Sequence, residues 1–183
     1  SNTFEPIDIG VCNGRKFING LGVGFDSKVA RWSEWAMFKY LGGSLRYHLP
    51  VYTGIFFYQS QRVRLLIDEE EMIQYSNFML TVGNGEYLGS GYRLAPGAEM
   101  NDQLLDLICI SKINVPSRIM HLPKAKKGTH TNLSFVKSHR FKNLKIEFDL
   151  AMTVHIDGEL IEGTSFDIHL HDKPLHFACL PEI

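Results

Sequence analysis

Turn-forming residues cut this chain into short apolar stretches, and that punctuation more than any other feature limits what it can fold into. Ile7-Asp8-Ile9-Gly10-Val11 and Lys16-Phe17-Ile18-Asn19 flank Asn13-Gly14, two residues that both tolerate positive φ and so predict a tight hairpin. Strand-length runs follow at 62–68, 77–82, 104–110, 144–148, 153–156, 166–171 and 175–180, several of them alternating apolar and polar residues. Two stretches read as helical. Residues 27–58 carry Val29, Trp32, Trp35, Ala36, Phe38, Tyr40, Leu41 and Leu45, broken by Gly42-Gly43 and again by Pro50. A further helix starts near Pro116 and runs through Ile119, Met120 and Leu122, with Pro123 expected to interrupt it and Gly128 to stop it. No βαβ alternation is sustained. The expected fold is mainly β within the α+β class: an antiparallel β-sandwich or folded sheet with two or three packed helices.

The 183 residues bound one domain with a real core, and 44% apolar against 21% charged residues is the profile of a soluble globular chain. A net charge of −1 argues against a dedicated nucleic-acid binder, whose phosphate contacts need a basic surface. Cys12, Cys109 and Cys179 form no CxxC pair, which fits a reducing cytoplasm better than a disulfide framework. No signal peptide is visible, and no apolar run approaches the roughly 20 residues of a membrane span. The opening Ser1-Asn2-Thr3 reads as a tag scar and boundary over residues 1–3, with residues 4–183 forming the domain.

Several segments could carry chemistry. Residues 20–26 (GLGVGFD) and 82–91 (VGNGEYLGSG) are dense in glycine without matching GxGxxG or a phosphate loop; they read as turns and bulges, or alternatively as ligand-lining loops. Asn101-Asp102-Gln103-Leu104-Leu105-Asp106 precedes an apolar strand and reads as a polar turn or a hard-cation loop. Residues 154–160 (VHIDGEL) predict a hairpin with Asp157-Gly158 at its tip, and Glu159 just after it could serve as a general base. His169 and His171 share one strand face without an evident third metal ligand. Lys124, Lys126 and Lys127 form a small basic cluster, a solvated face or one that lies against anionic lipid.

In order along the chain, Phe17 to Asp26 (FINGLGVGFD), Val82-Gly83-Asn84-Gly85 with Gly89 to Pro96, Asn101 to Leu107, Lys127-Gly128-Thr129-His130 and Ile156-Asp157-Gly158-Glu159 resemble motifs of one group. That group is the C-terminal domain of bacterial diacylglycerol kinase-like lipid kinases, with sphingosine and ceramide kinases as more distant relatives. The resemblance implies transfer of the γ-phosphoryl group of ATP to a primary hydroxyl of diacylglycerol or a related lipid. It implies Glu159 as proton acceptor, and Asn101, Leu104 (through its carbonyl) and Asp106 as holders of Mg²⁺. Asn101 stands where the family pattern has Asp and Gln103 where it has Gly, a loss of charge that weakens a cation site. Trp32, Trp35 and Phe38 are the lipid-pocket candidates, or alternatively ordinary core residues of a helix packed on the sheet.

The resemblance further implies that residues 4–183 are the lipid-binding half and that ATP enters through an N-terminal nucleotide-binding domain, since no Gly-Gly-Asp-Gly-Thr occurs here. Such a half would be inactive alone, because phosphoryl transfer depends on positioning. The expected partners are a lipid substrate and that domain, with room for a homodimer and for peripheral contact at the inner face of the membrane. The contrasting reading is a non-catalytic hydrophobic-ligand binding or regulatory module on the same fold.

Overall fold

A computed structural model describes residues 3–33, 45–70, 73–89 and 91–179. In chain order its elements are β1 (Thr3–Ile7), β2 (Gly10–Cys12), β3 (Arg15–Phe17), β4 (Gly20–Gly24), α1 (Phe25–Ser33), α2 (Leu45–Phe57), β5 (Gln61–Ile67) and β6 (Ile73–Gly83). Then come β7 (Leu105–Ser111), α3 (Val115–Lys127), a 3-10 turn (His130–Asn132), β8 (Val136–Phe141), β9 (Asn143–Ile156), β10 (Glu159–Leu170) and β11 (Leu175–Cys179).

Asn13-Gly14 forms the tight turn its chemistry favours, with φ of 49° and 79° between β2 and β3. The Asn13 side chain also ties this turn to β10: its amide donates to the Ser165 carbonyl and its oxygen accepts from the Asp167 N–H. Every pairing is antiparallel. The main sheet runs β3-β2-β10-β9-β4-β6-β7-β8, and β1 pairs with β11 in a separate two-stranded sheet. The long strands β6 and β9 hold β4 between them at one end and β5 between them at the other.

Two apolar layers follow from strand alternation. In β5, Val63, Leu65 and Ile67 turn inward, and in β9, Leu144, Ile146 and Phe148 do the same. With Leu21, Leu80, Leu105, Phe141 and Phe166 they fill the space the folded sheet encloses. Burying each such side chain contributes about 1.5–3 kcal/mol. β7 is apolar on both faces. Leu105, Leu107 and Cys109 enter that core, while Ile108 and Ile110 face a second cluster under the helices with Phe25, Val29, Val51, Ile55 and Phe78. Among the described residues the architecture is therefore a folded antiparallel sheet with three helices packed on it, as the punctuation predicts.

Four local expectations change. Pro50 and Pro123 lie inside α2 and α3 rather than ending them. Each forfeits one backbone hydrogen bond, yet burial of Val51 and Ile55 beyond the first, and packing of Leu122 and Ala125 around the second, hold the helices through. α3 does begin and end as its residues favour. Asn114 accepts from the Ser117 N–H at 3.0 Å, Pro116 sits in the first turn, and Gly128 closes the helix at φ 73°. Residues 20–24 form neither turn nor loop but the buried strand β4. The runs 144–148 and 153–156 merge into the single strand β9, and the run 166–171 is mostly the last half of β10, whose first half is polar enough to escape notice. No described helix is long and apolar enough to cross a membrane.

Candidate functional site

Asp157-Gly158 takes positive φ at both residues, 46° and 95°, and closes the β9–β10 hairpin as its sequence dictates. The turn gives the Asp157 carboxylate a specific task. It accepts hydrogen bonds from the backbone N–H groups of Ile18 (2.7 Å), Asn19 (3.2 Å) and Gly20 (2.8 Å), while its own N–H donates to the Gly20 carbonyl. Asn84 locks the same loop from the other side. Its backbone N–H and that of Gly85 donate to the Asn19 carbonyl, and its side-chain amide donates to the carbonyls of Ile18 and Asp8. The Asn19 side chain in turn donates to the Tyr87 carbonyl. Three motifs far apart in the chain thus form one polar junction, which sequence reading could find as motifs but not as mutual partners.

Glu159 follows this junction with its side chain 78% exposed, and Arg15, the first residue of β3, pairs with it at 3.2 Å. The rigid hairpin fixes where the carboxylate starts. Its exposure leaves it free to meet another molecule.

Two residues back along β9, His155 is buried against Asp26, the second residue of α1, with Nε2 and Oδ2 2.6 Å apart. Burial pulls the imidazole pKa down, but the charge of Asp26, its hydrogen bond and the charge of Asp157 outweigh that and leave it raised. Gly22 makes the pair possible: a Cβ there would sit 2.2 Å from Asp26 Oδ2 and 2.3 Å from His155 Nε2. This is the physical reason for one glycine of the 20–26 stretch.

Asp26 also lines an apolar cavity of about 80 Å³ between the helices and the sheet. Phe25 and Val29 of α1, Val51 and Ile55 of α2, Leu122 of α3 and Leu94 contribute to its walls. Two buried polar side chains reach it. Arg118 donates to the carbonyls of Ile55 (2.8 Å), Tyr58 (3.0 Å) and Ile113 (3.2 Å) and lies 4.6 Å from the Phe78 ring centroid, so its charge caps the end of α2. His130, in the motif after α3, is buried, and burial holds its imidazole below the ordinary pKa. Sequence reading singled out neither Arg118 nor Asp26 as a site residue.

Of the sequence-expected pocket residues, Trp35 and Phe38 lie outside the described residues. Trp32 is not part of the cavity wall; it borders a separate groove with Lys28, Arg31 and Phe57, with the Lys28 ammonium 5.7 Å from its ring. Helical spacing alone could not tell which face of α1 meets the sheet.

The expected cation loop is built around an arginine. Asp102 caps the Leu104 N–H at 3.0 Å, and the Arg140 guanidinium from β8 pairs with Asp102 and approaches Asp106 at 3.9 Å. Burial, then the charge of Glu99, raise the Asp106 pKa. An amide, a carbonyl and one such carboxylate, with a guanidinium already among the carboxylates, fit a divalent ion poorly. No described group of three or more His, Cys, Asp or Glu side chains could hold a metal. His169 and His171 border a surface groove with Asn101 and Gln103, a juxtaposition the sequence did not reveal.

Residues 19–179 match the family model described as the YegS C-terminal NAD kinase beta sandwich-like domain. The chain belongs to that family. A probable lipid kinase YegS-like protein of Alcanivorax borkumensis is 29% identical over 182 residues, covering 97% of this chain and 59% of that protein. A diacylglycerol kinase of Bacillus subtilis is 26% identical over 175 residues, covering 91% of this chain and 55% of that protein. The fold is shared with a putative diacylglycerol kinase from Bacillus anthracis, at a TM-score of 0.73, 24% identity, and coverage of 92% of this chain and 54% of that one. The chain thus spans little more than half the length of these relatives of lipid-kinase type. Three of the five segments that carried the resemblance meet at the polar junction.

Proposed function

We propose that this YegS-family domain is the lipid-binding half of an ATP-dependent lipid kinase that phosphorylates a primary hydroxyl of diacylglycerol or a related lipid. The observation that carries the reading is the apolar cavity lined by Asp26, whose carboxylate pairs with His155 on the hairpin that bears the exposed Glu159. Hydrocarbon suits the cavity, and a hydroxyl near the hairpin would meet a carboxylate able to take its proton. Glu159 is the proposed proton acceptor. Phe25, Val29, Val51, Ile55 and Leu122 are the proposed acyl-chain contacts, with Trp32 on a neighbouring groove.

ATP and its Mg²⁺ are proposed to be held by a nucleotide-binding domain outside this chain, which on its own would then be inactive. The loop at 101–106 takes no step in this mechanism, because Arg140 supplies the positive charge there. Incubating the full-length protein with ATP, Mg²⁺ and a mixture of neutral lipids, followed by mass spectrometry, should show a new phosphomonoester lipid. Unchanged lipids with an intact, ATP-binding protein would reject the kinase reading.

A further inference from the structure

Helices on a folded sheet normally bury one face and solvate the other, so a helix apolar on both faces has a second apolar neighbour. α2 is such a helix. Val51, Ile55 and the following Tyr58 point inward, whereas Leu49, Tyr52, Phe56 and Phe57 point outward, 37%, 55%, 56% and 74% exposed. α3 repeats the pattern beside it. Its inner face carries Arg118 and Leu122, and its outer face carries Ile119 and Met120, 50% and 64% exposed. Arg118 bonds the carbonyls of Ile55 and Tyr58, which packs α3 against the C-terminal end of α2. One turn beyond Met120, the exposed Lys124, Lys126 and Lys127 end α3, and no acidic residue lies in either helix.

We propose that the outer faces of α2 and α3 dock on an anionic lipid bilayer, with Phe56, Phe57, Ile119 and Met120 entering the interface and the three lysines on the headgroups. Exposed apolar side chains of this size and number on a single protein surface mark an interaction site. Bulky apolar residues with lysines at their margin are the chemistry of an interfacial helix rather than of a protein groove. The charge fits the surface: each lysine near an anionic headgroup layer adds attraction, and aspartate or glutamate would subtract it. The position fits as well. The inner faces of these two helices wall the cavity, so docking would set its rim against the membrane in which a lipid substrate resides. This inference deepens the proposed function and rests on it only for the purpose of docking, not for its chemistry.

The test uses the 183-residue chain and sedimentation with vesicles of phosphatidylcholine alone or mixed with phosphatidylglycerol, without ATP. Binding to the mixed vesicles should be on the order of 100-fold tighter than to the neutral ones, and should weaken with salt. Phe57→Ser and Met120→Ser should each weaken it by about tenfold or more, with melting temperature unchanged because both side chains are exposed. Lys124→Glu with Lys127→Glu should abolish the preference for anionic vesicles. No vesicle binding, or binding that survives all these substitutions, overturns the proposal. A chain that dimerises through this face, losing the dimer in Phe57→Ser, also overturns it and assigns the face to a second copy. If vesicle binding fails while the full-length protein phosphorylates lipid in detergent micelles, the docking face alone is wrong. If docking holds and no lipid is phosphorylated, the kinase reading alone is wrong.

Discussion

The polar junction at the β9–β10 tip and the cavity beneath the helices are linked through the His155–Asp26 pair, yet they are built on opposite principles. Asp157, Asn84 and Asn19 fix their loops with directional hydrogen bonds to backbone, so the geometry is over-determined and a loss of one partner leaves donors unpaired. The cavity is bounded by Val29, Val51, Ile55 and Leu122, whose contacts are non-directional and tolerate displacement. A reaction that needs one atom held still and one long, variable hydrocarbon accommodated calls for both kinds of region. The junction would serve kcat and the cavity KM.

The largest expected effect tests the junction side of that division. In the full-length enzyme, Glu159→Gln should lower kcat by about 10²–10⁴-fold with little change in lipid KM, since general base catalysis contributes in that range. Melting temperature should hardly move, because the side chain is 78% exposed and its Arg15 partner is exposed too. Turnover close to wild type would make Glu159 a turn residue. On the cavity side, Ile55→Ala removes a side chain only 2% exposed. Such truncations cost about 2–5 kcal/mol, and the existing void argues for the lower end. Denaturant unfolding should show that loss, together with a raised KM and an unchanged kcat in the full-length enzyme; a lowered kcat at constant KM would collapse the distinction between the two regions.

Asp157→Ala strips the acceptor from three backbone N–H groups that water can partly reach, so about 1–3 kcal/mol of stability should go. Asp157→Asn should keep much of it. If both variants unfold at the wild-type denaturant midpoint, the junction is not over-determined. Arg140→Met should give the 101–106 loop an Mg²⁺-dependent rise in melting temperature that the wild type lacks. The same rise in the wild-type chain would restore the cation loop.

The smallest effect concerns the pair that links the two regions. The His155 pKa is raised in the folded chain above its unfolded value of about 6.5. Its contribution to stability is therefore fully present below about pH 6.5 and is lost as pH rises through the folded value. The melting temperature of the wild type should fall across that window more than that of His155→Gln. Parallel pH curves would mean the imidazole is neutral beside Asp26.

The turns were legible because their chemistry is local. Asn13-Gly14 and Asp157-Gly158 need positive φ, and Gly128 ends α3 for the same reason. Pro50 and Pro123 misled because a local break is weaker than the packing of Val51 and Ile55 after the first and of Leu122 and Ala125 around the second. Glu159 was legible as the residue after a hairpin tip, while Arg15 beside it was not, since 144 residues separate them.

Sequence by itself determined most of the strands, the two tight turns and the Gly128 end of α3, because propensity and backbone dihedrals depend on neighbours along the chain. Only the tertiary structure decided that Gly22 makes room for a buried ion pair, that Arg140 stands among the carboxylates of the expected cation loop, and that the cavity takes Val29 rather than Trp32 from α1. Those are facts about which distant side chains share a space. Packing and electrostatics set them through distance in the fold, and no spacing in the sequence encodes that distance.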